Sequence, residues 1–287
     1  MKFFFYFLQY LFVKILFLFL KFLPLKTAKS MSSIIFRKVG KLSSAHKTAK
    51  NNCRYIFPNH KEKMISSIID KSWENIGETI CELLRFQEVY NKNNIILNGL
   101  KNIEFLKKNN KQAIFFSIHQ SNWEVMVPIL DRINFDVGGI YRHINNPFLD
   151  NLILKIRENS LTKSGSFYTP KGKKSAKNLV QAVNNNRSIF LLIDQKDSSG
   201  EEVLFFNRKV KTQTGFLKIA RKFNLPIIPI QNNRLSDGKI ELTFLDPIFH
   251  NDSNINDTLM MEKIHTIIEK WILSNPSQWF WQHKRFN

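Results

Sequence analysis

The chain opens on a long apolar run. "FFFYFLQYLFVKILFLFLKFLPL", from Phe3 to Leu25, is interrupted only by Gln9, Lys14 and Lys21, and it meets the roughly 20 residues that a helix needs to cross a bilayer. A lysine at mid-span costs about 2.5 to 3.5 kcal/mol on insertion scales, whereas each Phe or Leu contributes about −0.3 to −0.6. The apolar residues outweigh Lys14, so the run predicts a membrane anchor. Lys14 and Lys21 are seven residues apart and share nearly one helix face, which also suits a helix tilted or lying in the interface with its lysines snorkelling. A cleaved secretory signal, with Lys2 as its positive start, fits less well, because the run is long, Lys14 interrupts it and no small-x-small cleavage site follows cleanly. The basic residues after Pro24, namely Lys26, Lys29, Arg37, Lys38 and Lys41, favour the cytoplasmic face for the body of the chain.

From Lys63 to Phe86 the apolar residues Ile65, Ile68, Ile69, Trp73, Ile76, Ile80, Leu83 and Leu84 recur at a helical period, predicting a long amphipathic helix. Short apolar runs then alternate with helical patterns. Strands are expected at 113–118, 137–141, 188–193, 226–231 and 239–245, and helices from Trp123, after Pro147, over 173–183 and over 215–223. This alternation predicts an α/β fold: a single domain with a mixed, mostly parallel central sheet flanked by helices, its last two strands forming an antiparallel hairpin around "SDG".

Composition narrows the function classes only partly. The formal charge of +20 and 43% hydrophobic content suit an anionic membrane surface, nucleic acid or an acidic protein partner. Lys and Asn are spread through almost every segment, which weakens the nucleic-acid reading. Two cysteines, Cys53 and Cys81, without a CxxC, argue against a disulfide framework or a cysteine zinc site. Seven scattered histidines offer no HExxH helix, so no metal is expected.

The stretch "HQSNWE" at 119–124 directly follows the apolar run "AIFFSI". In an α/β sheet, sites gather outside the carboxyl ends of the strands, where His119 stands. Two readings compete: Ser121 and Glu124 as a capping box that starts a helix, or His119 and Glu124 as a catalytic pair; a side-chain cap by Ser121 or Asn122 reconciles them, holding Glu124 in the first turn facing His119. On a continuous helix these two residues would point about 140° apart, so they meet only across a strand-to-helix turn. A histidine held by an ionised carboxylate is a general base able to deprotonate a hydroxyl. No GxSxG nucleophile elbow occurs, so that hydroxyl would come from the substrate.

"HQSNWE" resembles the H-x4-D/E signature of glycerolipid acyltransferases, in the HxxNWE form of the bacterial lipid A late acyltransferases. Three further blocks resemble that family in order: "YRHINNPFLDNLILKIRE" at 141–158, "LLIDQKDSSGEEVLFFNRKVKTQTGFLKIARKFNLPIIPI" at 191–230, and the terminal "NPSQWFWQHKRF". The resemblance implies a membrane anchor over residues 1–25 and an acyltransferase domain over 26–287. It implies transfer of a fatty acyl chain from acyl carrier protein to a hydroxyl of a Kdo-bearing lipid A precursor at the inner membrane. No cofactor is required, since the thioester brings its own activation, and a monomer is expected.

The family match further implies roles for particular residues. His119 would take the hydroxyl proton while Glu124 orients the imidazole, and Arg142 would bind lipid phosphate or developing oxyanion charge. Asp194, Thr214 and Gly215 would line the site. Asn207 replaces the glycine of the family's "FFG", a change that asparagine's tolerance of left-handed turns allows. Two other functions are weighed beside this one: acylation of another membrane acceptor, such as a lysophospholipid or glycolipid, and a basic membrane-tethered nucleic-acid-binding or scaffold protein.

Overall fold

The computed structural model describes residues 1–109, 112–163, 165–252 and 254–286. The apolar run folds as α1 (Lys2–Phe22), after which Leu23 and Pro24 turn the chain into α2 (Leu25–Gly40). The helix itself ends at Phe22, and Leu25 is buried against the body. Next come α3 (Ser44–Ile56), α4 (Glu62–Leu84) and α5 (Phe86–Asn91). The sheet-bearing part runs β1 (Ile95–Asn98), α6 (Glu104–Lys108), β2 (Ile114–Ser117), α7 (Met126–Arg132), β3 (Val137–Tyr141), α8 (Pro147–Glu158), β4 (Phe167–Pro170), α9 (Lys173–Asn184) and β5 (Ser188–Leu192). It finishes with β6 (Glu201–Phe205), β7 (Arg208–Thr212), α10 (Gly215–Phe223), β8 (Ile227–Arg234), β9 (Ile240–Phe244) and α11 (Asp257–Ser274).

Seven strands form one sheet in the order β1-β9-β8-β2-β5-β3-β4, and β6 and β7 form a separate hairpin. Within the sheet every pairing is parallel except β8 with β9. The mixed, mostly parallel sheet inferred from the hydrophobic pattern is therefore observed, including the antiparallel pair around "SDG". The central strand β2 is buried on both faces, as parallel strands covered by helices must be. Its alternation divides the core in two: Ile114 and Phe116 pack with α4, α10 and α11, whereas Phe115 packs with α7 and Phe135 on the other side.

Helix α4 is buried well beyond its apolar stripe. Ser72, Asn75, Thr79 and Glu82 are also buried, and at spacings of three or four they line one face. Gly77 lets α2 approach: a Cβ there would lie 2.5 Å from the Ser32 carbonyl oxygen, and the Ser32 hydroxyl donates to the Gly77 carbonyl at 2.6 Å. The β6–β7 turn places Phe206 at φ 49° and Asn207 at φ 59°, the left-handed pair that a two-residue hairpin turn requires. Asparagine at that position accordingly does the work expected of the family's glycine.

Candidate active site

The register of β2 on β5 brings the site together. Ser117 pairs with Leu192 across the two parallel strands, so the residues two positions further on, His119 and Asp194, emerge side by side at the carboxyl edge. The His119 Nδ1 lies 2.7 Å from Asp194 Oδ1, and the His119 backbone N–H donates to Oδ2 at 3.2 Å. Asp194 is almost fully buried, while the His119 side chain keeps 19% of its surface exposed. Burial works against the Asp194 charge. The neighbouring imidazole and the hydrogen bonds from His119 and from the Trp279 indole outweigh it, holding the carboxyl below its usual range. An ionised Asp194 accepts at Oδ1, so Nδ1 carries the ring proton and Nε2 is left with its lone pair.

Glu124 is arranged differently from the sequence-based expectation. Its carboxylate accepts from Arg157 Nε at 2.8 Å and Nη2 at 2.7 Å, a bidentate pair, and from the Trp123 indole at 3.2 Å. Burial raises the Glu124 carboxyl, and the Arg157 guanidinium more than offsets this, leaving it below the ordinary value. Glu124 and His119 are close enough for their charges to interact, but the group that holds the imidazole is Asp194. Direct orientation of His119 by Glu124 is therefore corrected: a guanidinium from α8 offers the carboxylate two charged donors at once.

The turn is capped by Asn122, one of the two residues expected to cap it. Ser121 sits at φ 51°, and it is the Asn122 side chain that accepts from the Glu124 backbone N–H, at 3.0 Å. A short 3₁₀ turn, Trp123–Val125, then leads into α7. The left-handed Ser121, a conformation costing about 1–3 kcal/mol, is held from α4: its carbonyl accepts from Asn75 Nδ2 and Thr79 Oγ1, each at 2.9 Å. Asn122 in turn donates to Glu82 at 2.8 Å, and Glu82 also meets Lys29 and Arg234. The buried polar face of α4 is thus the rail on which the turn after β2 is mounted.

Arg142 is exposed, one residue beyond β3. Its charge acts together with those of His119 and Arg285 on His283, whose imidazole burial holds down to about 4. His143, beside it, bonds Asp150 instead. Thr214 is buried at the start of α10, its carbonyl accepting from Leu217 N–H. Gly215 is the first residue of that helix. Among the described interactions neither Thr214 nor Gly215 contacts His119 or Asp194.

Sequence reasoning gave Arg157, Trp279 and Phe280 no place in the site. Arg157 lies within the 141–158 block and Trp279 in the terminal block, but only the fold shows what they touch. The rings of Trp123 and Phe280 flank His119, with centroids 5.5 and 6.0 Å away. This gives an oriented imidazole an apolar surround, suited to deprotonating a hydroxyl beside a hydrocarbon chain.

A histidine held by a buried carboxylate at the carboxyl edge of an α/β sheet is an arrangement able to abstract a proton. The profile of the bacterial lipid A biosynthesis acyltransferases matches residues 2–287, and the chain belongs to that family. It is an acyltransferase of lipid A biosynthesis. The lipid A biosynthesis lauroyltransferase of Escherichia coli (strain K12) is 22% identical over 257 residues, covering 84% of this chain and 78% of the relative. Among solved structures, the 1-acyl-sn-glycerophosphate acyltransferase of Thermotoga maritima aligns with a TM-score of 0.42 at 12% identity, over 85% of this chain and 99% of that one.

Proposed function

We propose that this acyltransferase moves a fatty acyl chain from acyl carrier protein to a hydroxyl of a Kdo-bearing lipid A precursor, at the cytoplasmic face of the inner membrane. The observation that carries the mechanism is the His119–Asp194 contact of 2.7 Å. Nε2 of His119 removes the acceptor's hydroxyl proton as the oxygen attacks the thioester carbonyl, forming a tetrahedral oxyanion. Collapse breaks the C–S bond, and the imidazolium returns its proton to the departing thiolate of the carrier. Asp194 keeps the proton on Nδ1 and stabilises the imidazolium that forms.

Glu124 serves this reaction through its pair with Arg157, as a fixed charge beside the imidazole. Arg142, exposed at the same edge, is the cation we assign to a lipid phosphate. The name and family of the E. coli relative support a lipid A-type acceptor. Helix α1 supports a membrane location: its most apolar 18-residue stretch has a mean hydropathy of 2.1, and only 6% of that stretch is buried. At about 1.5 Å per residue such a helix is about as long as the hydrocarbon core is thick. Purified protein given acyl carrier protein loaded with C12 to C16 chains and a Kdo-bearing precursor should acylate it, and His119→Ala should abolish the transfer. Equal rates in the two proteins would overturn the assignment, and acylation of a lysophospholipid in place of the precursor would reassign the acceptor.

A further inference from the structure

The segment after α11 is fastened along the turn that carries His119. Phe280 N–H donates to the His119 carbonyl at 2.8 Å, and Ser121 N–H to the Gln278 carbonyl at 3.0 Å. Gln120 and Trp279 thereby form an antiparallel bridge. Helix α4 secures both sides: Ser72 Oγ donates to the Trp279 carbonyl at 2.7 Å, and Asn75 Nδ2 to the carbonyls of Ser121 and Gln278. From this strap the Trp279 indole, 2% exposed, donates its Nε1–H to Asp194 Oδ2 at 2.8 Å.

We propose that Trp279 is a positioning residue for acyl transfer, fixing the Asp194 carboxylate so that Oδ1 stays on the Nδ1 of His119. The proposal rests on the reading of His119 and Asp194 as base and orienting acid. Rotation of a carboxylate about its Cβ–Cγ bond is soft, and without the indole Oδ2 keeps the longer bond, 3.2 Å, from the His119 backbone N–H. The indole adds the shorter bond to that second oxygen, at 2.8 Å, and the strap's backbone bridge sets where the indole stands relative to the imidazole. The N–H also draws charge from the carboxylate and so limits how strongly Asp194 favours a protonated ring.

Replacing the indole N–H by sulfur, with 3-benzothienylalanine at position 279, removes the donor and keeps the shape. In the full chain this variant should lose about tenfold to a hundredfold in kcat, the worth of a bond to a charged acceptor. KM should stay within about twofold, because the substrate contacts remain. The acid limb of kcat/KM should move to higher pH, since a carboxylate short of one donor holds the protonated ring more strongly. 5-Fluorotryptophan, which retains the N–H, should behave as the native residue. Native kcat and pH profile in the sulfur variant, with Asp194→Asn inactive, would overturn the role of Trp279 alone. A native rate in Asp194→Asn would overturn the base assignment and this proposal with it. A second measurement needs no change at position 279: in ¹⁵N-tryptophan-labelled protein the Trp279 indole proton should resonate downfield and move upfield in Asp194→Asn, and an unmoved resonance would equally overturn the proposal.

Discussion

Glu124 and Arg157 face each other as a two-pronged ion pair, with both carboxylate oxygens within 2.8 Å of guanidinium nitrogens. The pair joins the turn after β2 to α8, and its side chains are only 9% and 17% exposed. Removing one partner of so enclosed a pair strands the other charge, a loss of about 3–5 kcal/mol. Arg157→Met should therefore unfold at markedly lower denaturant than the native protein, and Glu124→Gln combined with Arg157→Met should recover part of the loss. A double-mutant cycle in detergent reads this directly.

The same pair sets a pH dependence. The folded Glu124 carboxyl lies below its ordinary value, raised by burial and lowered further by Arg157. Its stabilisation is then fully present above the unfolded value of about 4.3 and is lost as pH falls through the folded one. As pH falls below about 4.3 towards the folded value, the native protein should lose more stability than the Glu124→Gln, Arg157→Met double variant. Parallel loss in both would sink the assignment.

Asp194→Asn should leave the fold in place and cut kcat by up to about 10⁴-fold, the magnitude seen when an orienting aspartate becomes an amide and the wrong tautomer is favoured. The amide can present N–H to Nδ1, which turns the ring proton to Nε2, where the acceptor's proton must go. Steady-state rates with saturating donor and acceptor give the measurement, and KM should change little.

How much of this was legible follows from the range over which each signal acts. The helix over 215–223, the strand at β3 and the β8–β9 pair are set by local period and turn chemistry, and each is observed within a few residues of its expected limits. His119 was legible as the residue after an apolar strand. Its partner was not, because the His119–Asp194 contact depends on β2 and β5 being neighbours in one register, and no spacing along the chain encodes that. Glu124 is near in sequence and Asp194 is 75 residues away, so proximity along the chain pointed to the wrong carboxylate. Helix α4 misled in a different manner: its apolar stripe predicted one buried face, while Ser72, Asn75 and Thr79 are buried too because they bind backbone carbonyls of the site, and Glu82 because it binds the Asn122, Lys29 and Arg234 side chains. Strands β1, β4, β6 and β7 are only partly buried, so they lack the continuous apolar run that marks β2 and β5.

Glu82 is the anchor of that polar face. Lys29 Nζ lies 2.5 Å from it, Arg234 reaches both its oxygens at 2.6 and 2.8 Å, and Asn122 donates at 2.8 Å. Burial opposes its charge, and Arg234 and Lys29 overcome that, so the carboxyl lies below the ordinary range. Glu82→Leu removes the acceptor and leaves Lys29 and Arg234 without it, which should lower stability by about 3–5 kcal/mol. Adding Arg234→Met should restore part of that stability but not activity, because Asn122 would still lack its partner. Recovery of both together would show that Glu82 acts only through the fold.

Helix α1 is docked as well as apolar, and the two properties should separate experimentally. Asn146 Nδ2 donates to the Tyr6 carbonyl at 2.8 Å and to Gln9 Oε1 at 3.2 Å. The Phe148 ring lies 5.7 Å from that of Phe7 and 5.9 Å from that of Tyr10. At the other end Arg85 Nη1 donates to the carbonyls of Leu23 and Leu20, capping a helix terminus whose last carbonyls lack partners. Phe148→Ala should loosen this docking, and with it the α8 that carries Arg157, lowering the melting temperature while the protein stays in the carbonate-washed membrane fraction. Lys14→Leu should keep the Asn146 and Phe148 contacts while losing the cation–π contact of Lys14 with Tyr10, and should strengthen insertion, since the lysine's cost of about 2.5 to 3.5 kcal/mol at mid-span disappears. Removal of residues 2–22 should release the protein into the supernatant. Retention of that truncated chain on the membrane would mean that the basic residues of α2 and α3, rather than α1, supply most of the attachment.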